Sequence, residues 1–416
     1  MFLKNPKQRH RRKKETQHTV LRKLKGNKMN IWADLKYYKL HTFIIIFLMA
    51  IGLSAFMLVS SFVETVRHNY DKFIYGTYTG QYTVTKELDS SELILSDADL
   101  LDISAVDGVN AVSRRVVIPA VIKVDDKNVN ATLIGIEKRG SESLRSNFGI
   151  DSEILFGDSP VIAVSSGVAE EIDLKKDDTV HIAYRQNTLD AEAAFISTPH
   201  YSNTVIGTWC ITDYASALKL LGKKHGYTTS LMIYTNGEVD GLKQEIQGIV
   251  GDTGKVEYIK ETSAKNLMIA PTIWQIILYV MMAALFWLIC VGCSSLILAS
   301  LYSRLKDIGI LKTIGYSTAR ITGTLLAENM VMYLFAILVS VGSVIAGIKI
   351  LNMNQISNDS NAFLFVVGSS VLDMRLNWKI FVLPSVICAI CCMITLVFPI
   401  RKTTKNTIMD IINERN

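Results

Sequence analysis

Four long apolar segments, separated by polar stretches, dominate the pattern of the chain. They cover residues 42–63, 269–301, 330–350 and 380–400. A hydrocarbon core about 30 Å thick is crossed by roughly 20 apolar residues in helical conformation, so each segment is long enough to span a bilayer. The helical pattern of the second segment continues to Arg304, which predicts an extension beyond the membrane. The pattern therefore predicts four transmembrane helices.

Residues 64–268, between the first two apolar segments, show a mixed α/β pattern. Two stretches rich in β-branched side chains, 116–124 and 129–136, flank a polar turn and predict a β-hairpin. Further strands are predicted at 160–164, 179–183 and 231–234, and helices at 165–172, 215–221 and 239–250. The predicted fold class is thus an α-helical membrane protein with four transmembrane helices plus a mixed α/β extracytoplasmic domain.

Lysine and arginine residues beside the apolar segments set the expected orientation. Residues 1–30 contain eleven of them against one acidic residue, Glu15. The segments that follow the second and fourth apolar segments are also basic, through Arg304, Lys306, Lys312, Arg320, Arg401 and Lys402. Short basic flanks stay on the cytoplasmic side of a membrane. Residues 1–41, 302–329 and 401–416 are therefore predicted to be cytoplasmic.

An even number of spans returns both termini to the same side of the membrane. Residues 64–268 and 351–379 then lie on the extracytoplasmic side, and we expect a multi-pass protein of the bacterial cell membrane. The composition agrees, because 49% of the 416 residues are hydrophobic and the mean hydropathy is +0.27. A signal peptide is the alternative for residues 42–63, but the segment is too long and no A-x-A cleavage site follows it.

The basic N-terminal tail raises the question of nucleic acid, since the formal net charge of the chain is +6. The tail has neither interleaved aromatic residues nor a nucleic-acid-binding module, so we expect no nucleic acid as a partner. Anionic membrane lipids are the expected partner of such a tail. Ile31, Leu35 and Tyr38 share one helical face just before the first span and predict an interfacial helix. Both a plain membrane anchor and a partner-binding helix remain open for it.

Candidate chemistry in the predicted outer domain is sparse. His181, His200 and His225 lie among carboxylates, but neither H-E-x-x-H nor G-x-S-x-G occurs in the sequence. Cys290 and Cys293 have the spacing of metal ligands, yet they lie in an apolar segment without acidic or histidine partners and are interpreted as packing residues. We therefore predict no catalytic site and no metal.

The segment between the second and third spans predicts a short amphipathic helix. Ile310, Leu311 and Ile314 form an apolar stripe between lysines. Gly315 stands where a helix C-cap favours a left-handed residue, and Ser317 is a plausible N-cap for the helix that follows. The physical pattern alone fits two interpretations, an interfacial linker helix and a helix that docks into the groove of a soluble partner.

The same segment resembles a family signature. R-L-K-D-I-G-I-L-K-T-I-G at residues 304–315, followed by Glu328, is similar to the R-x-x-E-I-G-[IL]-[LM]-[KR]-[AS]-[IL]-G motif of MacB/FtsX-like ABC permeases. Residues 161–180 also resemble part of the outer domain of these permeases, and the layout of spans follows theirs. Asp307 replaces the usual Glu, and Asp178 follows Asp177 where Gly-Asp is common.

The resemblance implies a dimer of permeases, homo- or heterodimeric, on two cassette ATPases. It also implies that the loop helix is the ATPase-coupling element, formed by Arg304, Leu305, Lys306, Asp307, Ile308, Ile310, Leu311, Lys312, Ile314, Gly315 and Glu328. The sequence has no G-x-x-x-x-G-K-[ST] motif, so ATP and Mg²⁺ are expected on a partner chain and no cofactor on this one. An extracytoplasmic adaptor protein is a possible further partner.

The function that the resemblance implies is non-catalytic coupling of ATP hydrolysis to movement of the outer domain. The expected output is export or extraction of a peptide, lipoprotein or amphipathic compound by mechanotransmission. The alternative is an FtsX-like regulator that transmits ATPase work to cell-wall hydrolases without moving a substrate. The size of the outer domain favours the MacB-type interpretation, since FtsX proteins usually have smaller ones.

Overall fold

The structure is a computed structural model that describes residues 39–405 apart from 88–89, 91, 158, 203, 263–265, 268, 304 and 359. The interfacial helix predicted around Ile31, Leu35 and Tyr38 lies outside these residues. The helices are α1 (Lys39–Lys72), α2 (Asp97–Ala105), α3 (Glu142–Phe148), α4 (Ser152–Leu155), α5 (Ser166–Glu171), α6 (Tyr214–Leu221), α7 (Leu242–Val250), α8 (Ile269–Ser303), α9 (Leu305–Thr313), α10 (Thr318–Met353), α11 (Asn361–Val367) and α12 (Lys379–Lys405). The strands are β1 (Tyr82–Lys86), β2 (Leu93–Ile94), β3 (Val109–Val124), β4 (Lys127–Ile136), β5 (Val161–Ser165), β6 (Thr179–Tyr184), β7 (Asn187–Ser197), β8 (Trp209–Asp213), β9 (Tyr227–Thr228), β10 (Ser230–Thr235) and β11 (Gly254–Tyr258).

Among the described residues, three helical segments are long and apolar enough to cross a membrane. They are Thr42–Tyr78, Pro271–Tyr302 and Thr318–Met353. The first is longer than the predicted span at 42–63, because α1 runs on to Lys72 and a π-helical turn, Phe73–Tyr78, follows it directly. The fourth predicted span falls in α12, whose described apolar part is Lys379–Ile394. A count of four spans therefore stays a prediction.

The chain divides into two compact units. The helical unit comprises the described parts of Met1–Ser60, Val280–Gly347 and Leu376–Asn416, and the α/β unit comprises Ser61–Tyr279 and Ile348–Arg375. The α/β unit thus contains the last turns of α1 and α10 and the segment that connects α10 to α12. The domain boundaries expected from the sequence at 63/64 and 350/351 remain predictions.

Small and polar side chains mark the contacts between helices in the helical unit. A Cβ atom built on Gly52 of α1 would lie 2.5 Å from Ile289 Cδ1 of α8, so glycine permits this close approach. Ser54 on α1 and Ser343 on α10 share a hydrogen bond of 2.8 Å. Trp287 and Leu288 on α8 are each 68% exposed, which is the arrangement expected of side chains that face lipid.

A nine-stranded mixed sheet forms the frame of the α/β unit, in the order β11-β1-β10-β3-β4-β8-β5-β7-β6. Strand β3 also pairs with β6, which closes β3, β4, β8, β5, β7 and β6 into a ring. The 16-residue β3 is long enough to pair with β10 near its start and with β4 and β6 near its end. One strand therefore joins the ring to the open three-stranded part of the sheet.

The ring and the open part of the sheet have separate apolar cores. Ile122, Leu133 and Val180 are among the buried residues of the ring core. Val84 and Ile233 of the open part pack with the residues of α2 and α7. Val112 and Val116 lie on the same face of β3, so the two cores are separated along the length of this strand.

Several elements predicted from the sequence are confirmed. The hairpin is β3 and β4, with Asp125 in the turn at a φ of 49°. Strands β5, β6 and β10 and helices α5 and α6 lie where the pattern predicts them. Helix α7 begins only at Leu242, because Gly241 before it has a φ of 77° and interrupts the helix. Strands β1, β7, β8 and β11 of the nine-stranded sheet were not predicted.

Candidate functional site

Helix α9, which carries the permease signature, presents one apolar residue outward and buries another. Ile308 is 4% exposed, whereas Ile310 is 47% exposed. Leu305, Leu311, Lys312 and Ile314 are half-buried. Arg304 and the side chains of Lys306 and Asp307 lie outside the described residues. Of the predicted apolar stripe, Ile310 is thus the residue most open to a partner.

The C-terminal end of α9 forms a Schellman motif around Gly315. The Tyr316 N–H donates to the Leu311 carbonyl at 3.1 Å and the Gly315 N–H donates to the Lys312 carbonyl at 3.0 Å. Gly315 has a φ of 95°, which a residue with a Cβ adopts only at a cost. The predicted C-cap is therefore confirmed, and it ends α9 at a defined residue.

The start of α10 is capped as predicted. The Arg320 N–H donates to Ser317 Oγ at 3.3 Å, so the side chain satisfies one of the free donors of the first turn. The guanidinium group of Arg320 lies 5.1 Å from the centre of the Tyr316 ring, a cation–π contact across the turn. Two caps in succession make the connection from α9 to α10 a folded element.

Glu328, the last residue of the predicted coupling set, is placed differently from Ile310. It is 4% exposed and belongs to α10, within the candidate span Thr318–Met353. It lines a cavity of about 20 Å³ together with Thr42, Ser300 and Asn329. The predicted third span began at residue 330 and left this carboxyl group out, so the apolar helices hold more polarity than the sequence pattern indicated.

Asn329, beside Glu328, is a buried polar residue that the sequence analysis did not single out. Its Nδ2 donates to the Leu325 carbonyl at 2.8 Å, while Oδ1 accepts no hydrogen bond from the part of the chain that the structure describes. Polar groups buried within a candidate membrane span are costly and therefore often functional. The sequence signal that could have indicated this polar site is an acidic residue, Glu328, followed directly by an amide, Asn329, in an amphipathic stretch.

Within the α/β unit, the segment that follows α10 is bound to the last turns of α1. Ser61 Oγ donates to the Arg375 carbonyl at 2.8 Å, and the Arg375 N–H donates to Thr65 Oγ1 at 2.9 Å. Asn69 Nδ2 donates to the Val367 carbonyl at 3.0 Å, and the Tyr70 hydroxyl donates to the Phe365 carbonyl. We call residues 354–375 the strap.

The strap is also bound to the sheet-bearing part of the α/β unit. The Ser202 N–H donates to the Gly368 carbonyl at 3.2 Å, and the Ser370 N–H donates to the His200 carbonyl at 3.0 Å. A Cβ atom on Gly368 would lie 2.7 Å from Tyr70 Cδ2, so glycine is required for this approach. The strap therefore connects α1, the end of α10 and the folded domain, a link that the sequence did not reveal.

A charged cluster surrounds Arg114 of β3, on the face of the sheet next to α2. Arg114 Nη2 lies 2.5 Å from Asp97 Oδ1 and 2.6 Å from Glu137 Oε1. Its hydrogen bond to Asp97, with a second from His225, lowers the pKa of the Asp97 carboxyl. A cavity of about 690 Å³ opens beside this cluster, and Arg114, which lines it, already has two carboxylate partners.

The α/β unit has histidines beside carboxylates, which are the residue types of metal sites and catalytic sites. In the described ranges, no group of three or more His, Cys, Asp or Glu side chains is arranged to hold a metal ion. His181 Nδ1 lies 2.6 Å from Asp190 Oδ1, and both side chains are more than half exposed. Such a surface pair lacks the enclosed surroundings of a catalytic dyad.

Comparison with known proteins gives the following similarities. Residues 279–408 match the FtsX-like permease C-terminal family. The chain is similar to the periplasmic region of MacB from Actinobacillus actinomycetemcomitans, with 13% identity and a TM-score of 0.34 over 45% of this chain and 95% of that chain. It is also similar to the extracellular domain of the noncanonic ABC-type transporter YknZ from Gram-positive bacteria, with 14% identity and a TM-score of 0.30 over 42% and 98% of the two chains. No curated protein matches it.

Proposed function

We propose that this chain is a MacB/FtsX-like ABC permease that couples ATP hydrolysis by a separate cassette ATPase to movement of its α/β unit. The observation that carries the proposal is the FtsX-like permease domain at residues 279–408, which contains the capped helix α9. The chain itself is then a non-catalytic membrane subunit, with ATP and Mg²⁺ bound by its partner. A second permease copy completes the assembly.

The proposed topology has four transmembrane helices and both termini in the cytoplasm. Helix α12 is 27 residues long, and about 20 residues suffice to cross the hydrocarbon core. With four spans, α9 and the basic flanks lie in the cytoplasm, and the α/β unit and the strap lie outside. This arrangement puts the proposed docking helix on the side where ATP is available.

The ATPase is proposed to receive α9 in a groove on its surface. Ile310 supplies an exposed apolar anchor, and the buried Ile308 fixes the rotation of the helix about its axis. The Schellman motif and the Ser317 cap hold both sides of the turn after α9. A rigid helix loses little conformational freedom on docking, which favours affinity.

Movement at α9 is proposed to reach the α/β unit through continuous helices and the strap. Helix α1 is continuous over 34 residues, and its last turns from Ser61 onward belong to the α/β unit. Hydrogen bonds from Thr65 and Asn69 join these turns to the strap, which is itself bonded to Ser202. Displacement of the helices would therefore pull on the folded domain.

The output of this movement is proposed to be export or extraction of a peptide, lipoprotein or amphipathic compound at the outer face of the cell membrane. A further extracytoplasmic adaptor fits this role. Passage of a polar substrate between the helices is not required, because work on the substrate is done by the α/β unit. The FtsX-like regulator of cell-wall hydrolases remains the other outcome of a substrate test.

The docking proposal is tested by charge substitution at the exposed anchor. In nanodiscs, Ile310→Asp is compared with Met353→Asp, which changes a more exposed apolar residue at the far end of α10. We expect Ile310→Asp to reduce recovery of the cognate ATPase and its stimulated hydrolysis at least tenfold, since a carboxylate would be desolvated in the groove. Met353→Asp should leave both unchanged.

The outcomes of this comparison are distinct. If both variants insert and fold but only Ile310→Asp loses the ATPase, α9 is the docking element. If Ile310→Asp recovers the ATPase like wild type, the docking proposal is wrong, and the family assignment stands without a located coupling site. Cross-linking of the wild-type complex to secreted lipoproteins or to cell-wall hydrolases then separates export from regulation.

A further inference from the structure

The α/β unit has a further cavity, on the face of the sheet that points away from α2 and α7. Its volume is about 490 Å³, within the range of pockets that hold small ligands. Strands β1, β3, β4 and β10 contribute alternate residues to its floor, and the segments before β1 and β8 form its rim. Its lining includes Arg115, Thr132, Ile134, Trp209, Met232 and Glu257.

Arg115 is the residue that gives this cavity its chemistry. It is 1% exposed, and its Nη1 donates to the carbonyl groups of Thr77 at 2.7 Å and Tyr78 at 3.0 Å. Nη2 donates to the Tyr234 hydroxyl at 3.0 Å. Nε has no hydrogen-bond partner among the described residues. The guanidinium group is therefore held in place by neutral oxygens, with one donor unused.

No carboxylate of the described chain forms an ion pair with Arg115. The neighbouring carboxylate in the cavity, Glu257, is bound to Lys255 at 2.7 Å. Arginine stays charged at every physiological pH, and a buried charge is normally paired. An unneutralised guanidinium group beside a cavity therefore favours an anion, and its planar donors match the oxygens of a carboxylate or phosphate.

The rest of the lining favours a ligand that also has an apolar part. Trp209, Ile134 and Met232 are buried and form an apolar wall, and Tyr78 stacks on Trp209 with 5.8 Å between ring centres. The hydroxyl groups of Thr85, Thr132 and Thr208 make no hydrogen bond within the described ranges and can donate to ligand oxygens. Polar donors and an apolar wall thus meet in one cavity.

We propose that this cavity binds a small amphiphilic oxyanion, with its carboxylate or phosphate group at Arg115 and its apolar part against Trp209, Ile134 and Met232. The site is formed entirely by residues of the α/β unit, so binding does not depend on the ATPase or on the proposed docking of α9.

Binding is tested on the full chain in nanodiscs of zwitterionic lipid, with empty discs as the blank for partitioning. The probes are hexanoate, hexyl phosphate, hexanol and inorganic phosphate, followed by tryptophan fluorescence, with Trp209→Phe used to assign the signal. We expect saturable binding of hexanoate or hexyl phosphate, and at least tenfold weaker binding of hexanol and of inorganic phosphate. Weaker binding of hexanol shows that the ligand needs its oxyanion, and weaker binding of inorganic phosphate shows that it needs its apolar part.

Variants locate the anion. Arg115→Gln should weaken binding of the anionic probe at least tenfold, whereas Lys123→Gln, an exposed charge on the same strand, should not change it. Because Arg115 is buried and its loss could unfold the domain, Thr208→Glu provides a second variant at an exposed rim position. Its carboxylate should also weaken anion binding through like-charge repulsion.

Any of three results would overturn the proposal. One is that no anionic probe binds the wild-type chain above the blank at millimolar concentration. Another is that folded Arg115→Gln and Thr208→Glu bind the anion as tightly as wild type, which would mean that the anion lies elsewhere. Equal binding of hexanol and hexanoate would likewise exclude a role for the charge.

Discussion

Arg114 and Arg115 are neighbours on β3, yet their guanidinium groups face opposite sides of the sheet. Arg114 Nη2 lies 2.5 Å from Asp97 and 2.6 Å from Glu137, and the Arg114 guanidinium lies 5.2 Å from the centre of the Tyr214 ring. Arg115 donates only to neutral oxygens among the described residues. The alternation of a β-strand thus gives one arginine a structural role and leaves the other for a ligand.

Removing the charge of Glu137 should destabilise the α/β unit. Glu137→Gln leaves the buried Arg114 with the exposed Asp97 as its remaining carboxylate, and hydrogen bonds to charged groups contribute about 2 kcal/mol. We expect a loss of about that size in the free energy of unfolding, measured by chemical denaturation. Asp173→Asn, which breaks the exposed ion pair with Lys127, is the control and should have no measurable effect. Equal effects of the two variants would contradict a special role for Arg114.

The same cluster predicts a dependence on pH. Hydrogen bonds from Arg114 and His225 lower the pKa of the Asp97 carboxyl below 3.8. The pKa in the folded state is then lower than in the unfolded state, so the stabilisation is present above about pH 4 and is lost as the pH falls through the folded value. Wild type should therefore lose more stability than Asp97→Asn between pH 5 and pH 2, by a small amount because Asp97 is exposed. Parallel curves for the two proteins would exclude this linkage.

Two glycines, one inside α9 and one in the turn after it, should respond to alanine in opposite directions. Gly315 has a φ of 95° and nothing within 4 Å of a built Cβ, so Gly315→Ala adds only backbone strain, about 1 kcal/mol. Gly309 lies inside α9 with an equally open Cβ position, and Gly309→Ala should stabilise the helix by about 1 kcal/mol. Amide hydrogen exchange of residues 305–313 should speed up in the first variant and slow down in the second. A change of the same sign in both would rule out the Schellman account.

Loss of two hydrogen bonds should loosen the strap. The double variant Asn69→Ala, Tyr70→Phe removes the bonds to the carbonyls of Val367 and Phe365. Each such bond contributes about 1 kcal/mol, so amide exchange in α11 should accelerate at least tenfold. Tyr279→Phe, at an exposed tyrosine of the same unit, is the control.

If the strap transmits movement, this double variant should also bind the ATPase normally while uncoupling hydrolysis from movement of the α/β unit. ATP-dependent change in the distance between fluorophores on the α/β unit and on the nanodisc reports that movement. Normal coupling with a demonstrably loosened strap would show that force travels by the helices alone.

Turns, helix caps and long helices could be predicted from the sequence. The turn at Asp125, the C-cap at Gly315 and the N-cap at Ser317 are each determined by residues within one or two turns of chain, and each is present in the structure. The long apolar segments likewise predicted helices, because the need to satisfy every backbone group in lipid leaves little choice of conformation.

Long-range relationships were decided only by the tertiary structure. The ring closes through β3 and β6, and the strap bonds to Thr65 and Asn69 across some 300 positions of sequence. No local periodicity specifies such partners, because a hydrogen bond between distant segments depends on where the whole chain brings them. The sequence alone predicted the long apolar helices, the resemblance of residues 304–315 to a permease signature, and the capped turn. The folded chain decided that Glu328 is buried, that Arg114 has carboxylate partners and that Arg115 has none among the described residues, because burial and charge pairing depend on neighbours in space.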